Sequence, residues 1–339
     1  MSGRPKCKPQ HAARLPGGLV ANEFDLIARY FSRPAPAGFL GVGDDCALLP
    51  PVRPGFQLAT STDLLIEGRH FFADVDPDAL GHKALAVNLS DLGAMGATPL
   101  GCLLSLSLPS ADPGWLEAFS NGFYALAQES GCPLVGGDTT RSVSGVTIGV
   151  TVFGEIEVGK ALLRSAAQPG DDIWISGTLG APDIALRLLQ KTLPADAALL
   201  AATRPALERP RPPLALAQSL TGVAHAALDI SDGLLQDLGH ILKASGCGAQ
   251  LDYNELPVDP ALAGLPPLVQ QQAVLGGGDV YQLCFTAPVA QRQCILSKAK
   301  KSSVRVTRIG QIMAQAGLLI KGEDGARLVP PVLGFDHFS

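Results

Sequence analysis

A two-domain protein of mixed α and β structure is what this sequence predicts, and three features predict it. The chain has 339 residues, whereas single hydrophobic cores rarely grow past about 250 to 300. Apolar residues make up 47% and charged ones 17%, the balance of a compact globular protein. β-prone runs alternate with helical stripes throughout, which means α/β or α+β architecture with a boundary near residue 155. Residues 1–21 read as a loose tail, 22–155 as an N-terminal domain and 156–339 as a C-terminal domain.

The elements follow in order. "EFDLIARYF" spaces Phe24, Ile27 and Phe31 as a short helix would. "FQLATSTDLLI" is β-prone up to Ser61-Thr62-Asp63, so a strand ending in polar residues is expected. "GHKALAVNLSDLGAMGATP" repeats Leu85, Leu89 and Leu92 on one helical stripe and closes at Gly96 and Pro99. "GCLLSLSLP" reads as a strand and "WLEAFSNGFYALAQESG" as a helix. "CPLVGGDTTRS" predicts a short strand and a glycine turn before the strand "GVTIGVTVFGEI".

The second half restarts with "GDDIWISGTLG", then the helix "APDIALRLLQK" and a Pro-rich connector around Arg204 to Pro213. "HAALDISDGLLQDLGHILKASG" is a strand running into a helix with Leu234, Leu235, Leu238, Ile241 and Leu242 as its stripe. "VYQLCFTAP" and "GLLIKGED" read as late strands.

Composition excludes several function classes. A net charge of −5 gives no global basic field for nucleic acid, and "KAKK" and "RPKCK" are too short to supply one. The seven cysteines form no CxxC pair, which fits reduced thiols in a cytoplasm. No apolar run approaches the ~18 residues of a membrane helix. The basic first twenty residues lack the apolar segment of a secretory signal.

Aspartates recur where strands end or helices begin: Asp44 and Asp45 in "GVGDDC", Asp63 in "STD", Asp138 in "GGDTT", Asp229 and Asp232 in "DISDG". Asp91 instead falls inside a helix, flanking its apolar stripe, with Asn88 one turn earlier. Each has a plain structural reading as well. Ser231 and Asp232 suit a helix cap, Asp138 a turn and Asp63 an exposed strand end. If the carboxylates converge, they cannot all stay ionised without cations. Carboxylate and hydroxyl oxygens suit hard Mg²⁺, which binds through one or two carboxylates plus substrate phosphates. Zinc is disfavoured because no Cys/His spacing fits it. The pattern points to polyphosphate chemistry.

Familiar phosphate motifs fail. "GEIEVGKA" nearly matches a P-loop but ends in Ala161, which has no hydroxyl for Mg²⁺, and places Glu155 and Glu157 against the phosphates. "DISDGLLQDLGH" ends in His240 where a calcium loop needs Glu. GxGxxG, GxSxG and HExxH are also absent.

"GVGDDCALL", "STDLLIEGRHF", "KALAVNLSDLGAMGATP", "LVGGDTTRS", "RSAAQPGDDIWISGTLG", "DISDGLLQDLGHI" and "GFDHF" together resemble the bacterial thiamine-monophosphate kinase family, in order from about Glu23 to Phe338. That family belongs to the aminoimidazole ribonucleotide synthetase-like superfamily of two α/β domains. The resemblance implies a cytoplasmic homodimer paired through its N-terminal domains, with several Mg²⁺ ions, ATP and thiamine monophosphate as ligands. It implies direct in-line phosphoryl transfer to thiamine monophosphate without a covalent protein nucleophile, the last step toward thiamine diphosphate, with no nucleic acid or membrane partner.

Matched motif by motif, the resemblance implies Asp45, Ser61, Thr62, Asp63, Asp91, Asp138, Asp229 and Asp232 as metal ligands or their close partners. It implies ATP contacts at Gly137, Asp138, Arg164 and Ser231, and substrate contacts at His70, Asp279 and Phe335. Asp44 goes to a second ion or to its own loop's backbone. The chain departs from the family at "GGDVYQLCF": Asp279 stands for a glutamate, and Val280 replaces an aspartate. Ser120 occupies the position of a tyrosine sometimes found near the nucleotide. Two other readings stand beside the kinase. One is a superfamily relative with a different acceptor, such as selenophosphate or aminoimidazole ribonucleotide synthesis. The other is a nucleotide-binding protein that has lost catalysis.

Overall fold

The computed structural model describes residues 23–42, 46–322, 326–329 and 334. Asp44, Asp45, Phe335 and the tail at 1–21 lie outside them. In chain order the first elements are α1 (Glu23–Leu26), continued by a π turn over Ile27–Phe31, then β1 (Phe56–Ile66), α2 (Pro77–Ala94) and β2 (Thr98–Leu108). They are followed by α3 (Pro113–Ser130), β3 (Leu134–Arg141), β4 (Thr147–Glu157), β5 (Asp172–Ser176), α4 (Ala181–Leu189) and α5 (Ala197–Glu208). Next come α6 (Leu214–Leu220), β6 (Ala226–Asp229), α7 (Leu234–Ser245), β7 (Gly248–Asp252), α8 (Pro267–Gly276) and β8 (Leu283–Ala287). The chain closes with α9 (Arg292–Lys301), β9 (Val306–Met313), β10 (Gly317–Lys321) and β11 (Arg327–Leu328).

One sheet has the strand order β1-β4-β2-β3, and a seven-stranded sheet runs β11-β10-β7-β9-β5-β8-β6. Contacts divide the chain into two compact units that are not continuous in sequence. The first holds the described residues up to Pro51, Thr62–Leu85 and Leu100–Val152; the second holds Val52–Ser61, Ala86–Pro99 and the described residues from Phe153 onward.

In the first unit α2 and α3 cross at glycines. A Cβ on Gly122 would lie 1.8 Å from the Asp78 carbonyl oxygen, and one on Gly81 would lie 2.0 Å from that of Phe119, so no side chain fits at either. Around this crossing Phe119 stacks on Trp115, with centroids 5.0 Å apart, and Phe31 meets Phe119 edge-on. The Tyr124 hydroxyl donates to the Phe31 carbonyl (2.8 Å) while Arg33 lies over its ring.

The second unit buries Ile173, Ile175, Leu228, Leu234, Leu238, Ile241 and Ile309 on one side of the seven-stranded sheet's core. Trp174, Phe285, Leu216 and Leu220 form a second cluster. The alternation of Ile173/Ile175 with Trp174 along β5 follows from the two-residue period of a strand.

Several sequence expectations change. β1 does not stop at Ser61-Thr62-Asp63 but runs on to Ile66, because Leu64, Leu65 and Ile66 continue its β-prone run. β3 passes straight through Gly136 and Gly137, which pair with Leu103 and Leu104 of the parallel β2, so there is no glycine turn. The connector begins later than expected. α5 carries Pro205 in its interior, continues to Glu208, and is tied by the Arg204–Glu208 ion pair (2.8 Å). The stripe Leu85, Leu89 and Leu92 is buried as expected, but α2 has no exposed side from Ala79 to Ser90, so its other faces are buried as well.

Candidate functional site

The second unit gathers the larger group of expected residues. Ser61 on β1 donates its hydroxyl to Oδ2 of Asp91 on α2 (2.5 Å). Burial pushes the Asp91 carboxyl above its ordinary range, while that hydrogen bond and the positive charge of Arg164 pull it back. Arg164 opens a 3-10 turn at Arg164–Ala166 and is exposed; Ser245 donates to its backbone carbonyl (2.8 Å). Asp229, the last residue of β6, is buried and accepts the Ser90 hydroxyl on Oδ2 (2.8 Å). Of two consecutive residues of α2, Ser90 therefore donates to the Asp229 carboxylate and Asp91 is itself a carboxylate held by Ser61.

The "DISDG" loop is built from within. α7 has Gly233 at its N-cap, with no side-chain cap, so Ser231 and Asp232 are not the capping residues. Instead Asp237, buried in the first turn of α7, accepts the backbone N–H groups of Ser231, Asp232 and Gly233 on one oxygen, each at 3.0 Å. Burial raises the Asp237 carboxyl to about 6, with the nearby Asp232 charge adding to the rise and the three N–H bonds opposing it. Asp232 is half-buried and accepts from Gln236 (3.1 Å).

The loop before β8 rests on this one. The Asp279 N–H donates to the Ser231 carbonyl (2.8 Å), and the Tyr281 N–H donates to that of Ile230 (2.7 Å). Between them Val280 is buried in the second unit's core, which explains how an apolar residue stands where the family has an aspartate.

The first unit holds most of the other described ones. Strand alternation places Ser61 and Asp63 on one face of β1 and Thr62 on the other. Thr62 is engaged there with the Val150 carbonyl and the Thr151 hydroxyl, both at 3.0 Å. His70 accepts the Ile66 N–H on Nδ1 (3.0 Å), which leaves Nε2 as the proton-bearing nitrogen of its neutral form. Gly137 has φ +154, and a Cβ there would lie 1.8 Å from the Leu104 carbonyl oxygen, so only glycine fits. Asp138 follows on exposed backbone. Gly137 and Asp138 border a small hollow whose apolar wall includes Ile27, Phe31, Val42 and Leu104.

The donor set is oxygen throughout, as Mg²⁺ requires. Among the described residues no three His, Cys, Asp or Glu side chains cage an ion by themselves. Mg²⁺ usually takes only one or two carboxylates and completes its shell with substrate phosphates, so the residues fit it. The P-loop near-match is disposed of by structure: Gly154–Glu157 end β4, and Glu155 is paired with Arg53. Ser90, Asp237 and Tyr281 were missed by sequence reasoning. The one available signal was an acidic residue in the first turn of α7.

The family models for AIR synthase related proteins match residues 43–156 (N-terminal domain) and 168–321 (C-terminal domain). The chain is 43% identical over 331 residues to the thiamine-monophosphate kinase of Salmonella typhimurium, covering 95% of this chain and 99% of that one. It resembles the crystal structure of thiamine-monophosphate kinase from Stenotrophomonas maltophilia K279a with a TM-score of 0.79 and 44% identity, covering 89% of this chain and 95% of that one. A solved structure of AaThiL complexed with AMPPCP and TMP is 30% identical with a TM-score of 0.71, covering 85% of this chain and 90% of that one.

Proposed function

Because this chain belongs to the thiamine-monophosphate kinase family and carries both AIR synthase related domains, we propose that it makes thiamine diphosphate from thiamine monophosphate. In that reaction a phosphate oxygen of thiamine monophosphate attacks the γ-phosphorus of ATP in line, the bond to the β,γ-bridging oxygen breaks, and ADP leaves with that electron pair. The observation that carries the reading is end-to-end similarity to kinases of this one activity, together with a relative held with AMPPCP and TMP.

Phosphoryl transfer of this kind needs positioning and charge neutralisation more than a protein nucleophile. Asp91, Asp229 and Asp232 in the second unit, and Asp63 and Asp138 in the first, are the proposed holders of Mg²⁺, with Asp45, Ser61 and Thr62 as ligands or their close partners. Bound there, Mg²⁺ supplies neutralisation of the polyphosphate's charge. Arg164 supplies a fixed positive charge for the nucleotide, and Ser231 a polar contact to it. Gly137 and Asp138 lie along the nucleotide. His70, Asp279 and Phe335 recognise the acceptor.

Leu58, Leu64 and Ile66 share one face of β1 and are 54%, 54% and 40% exposed, which supports a homodimer covering that face. Among the described residues no helix is long and apolar enough to cross a membrane, and the six described cysteines are free thiols. The free thiols fit the proposed place of work, the cytoplasm.

The test is product chromatography from ATP, Mg²⁺ and thiamine monophosphate, with thiamine and metal-free reactions alongside. Thiamine diphosphate is expected only from the monophosphate with metal. Nucleotide binding without diphosphate would overturn the reading and point to another acceptor.

A further inference from the structure

Ser90 is 2% exposed and Asp229 is 6% exposed, and the hydroxyl of one donates to the carboxylate of the other across 139 positions of sequence. Buried carboxylates need such donors, because an unpartnered oxygen in a low-dielectric interior costs about 1 to 3 kcal/mol. A purely structural serine would satisfy that need anywhere. This one immediately precedes Asp91, whose own carboxylate is held by Ser61. The two bonds make α2 the common support of two carboxylates, one on the helix itself and one at the end of β6.

We propose that Ser90 is a positioning residue for the cation: its hydroxyl fixes the rotamer of Asp229 in step with Asp91. The inference rests on the proposed role of those two aspartates toward Mg²⁺. A partner that orients a metal ligand typically contributes a factor of about 10 to 100 in metal affinity. Ser90 is the donor fitted to do this for Asp229.

The experiment uses the full chain, with Mn²⁺ as a paramagnetic stand-in for Mg²⁺. Bound Mn²⁺ is counted by electron paramagnetic resonance, with and without AMPPCP, for the wild type, Ser90→Ala and Ser90→Thr. Thermal unfolding in EDTA and in Mg²⁺ is measured on the same samples. The expected result is Mn²⁺ binding weakened about ten-fold or more in Ser90→Ala and largely restored in Ser90→Thr, which keeps a hydroxyl. The Mg²⁺-dependent part of the melting shift should shrink with it. If Ser90→Ala does not fold, Ser90→Cys, similar in size but a weak donor, replaces it with the same expectation.

Wild-type Mn²⁺ affinity in a folded variant lacking the hydroxyl overturns the inference. So does a fall in melting temperature that is equal in EDTA and in Mg²⁺, since that is a structural loss alone. A wild type that binds no Mn²⁺ even with AMPPCP overturns the inference together with the metal reading beneath it. Wild-type Mn²⁺ binding without thiamine diphosphate formation would instead fault the acceptor and leave Ser90 supported or refuted on its own data.

Discussion

The Tyr281 hydroxyl donates to Asp279 Oδ1 (3.1 Å) across a single residue, and both residues hold left-handed backbone, with φ of 51° and 58°. Side chains avoid that region, and non-glycine residues there cost of order 1 to 3 kcal/mol each. Buried Val280 and the two backbone bonds to Ile230 and Ser231 hold the loop in place. Strain kept at such cost fits the recognition role proposed for Asp279.

Tyr281→Phe should therefore loosen Asp279 without removing it. A hydrogen bond to a charged group is worth about 1.5 to 3 kcal/mol, so KM for thiamine monophosphate should rise about ten-fold or more. KM for ATP should hold. Steady-state kinetics with each substrate varied in turn checks the split; equal changes in both would count against the role.

Asp91→Asn should separate stability from activity. Burial already disfavours the Asp91 charge, so a neutral isostere removes that penalty and should leave the melting temperature unchanged or higher. Activity should fall by about two orders of magnitude or more, the scale of losing a group that organises transition-state charge. Melting curves and turnover on one preparation read both signs.

Asp237→Ala strips three backbone N–H groups of a buried acceptor. At about 1 to 3 kcal/mol for an unsatisfied buried group, a loss of about 3 kcal/mol in urea unfolding is expected. Asp237→Asn keeps an acceptor oxygen and should lose much less.

Tyr124 carries a pH signature at the alkaline end. Burial pushes its phenol up to about 12, with the Arg33 charge opposing. The folded state thus keeps this proton more tightly than the unfolded chain, where the phenol titrates near 10. Its contribution to stability is complete below about pH 10 and fades as pH rises toward 12. Urea midpoints between those values should slope downward, and Tyr124→Phe should flatten the slope.

Gly137→Ala should be severe for a geometric reason. The added Cβ would collide with the Leu104 carbonyl, so overpacking of at least about 2 kcal/mol is expected from denaturant unfolding. A neutral outcome would mean β2 and β3 can part locally at that point.

The element order and most strands were legible because their apolar residues repeat with a clear period. β7, β9, β11, α5, α6, α8 and α9 were not picked out: Gly248–Asp252, Arg327–Leu328 and Leu214–Leu220 are too short for a period to emerge. Pro205 helped hide α5, whose second half reads as a Pro-rich connector even though the helix runs through the proline. Of the site, Asp91 stood out as a charge beside an apolar stripe, and the strand-end aspartates stood out by position. Ser90 was invisible because its partner lies in a distant strand. Asp237 was hidden by looking like an ordinary first-turn acid when it organises the loop before it.

α2 is buried on every side from Ala79 to Ser90, and two of its side-chain hydrogen bonds fall at the adjacent residues Ser90 and Asp91. Successive residues of a helix stand about 100° apart around its axis. The bonds at Ser90 and Asp91 therefore pull from two different bearings, and together they act as a key and keyway that fix the angle of roll. A cation drawing on Asp91 would tighten the same lock, so slower amide exchange along 86–94 would report occupancy from inside the helix.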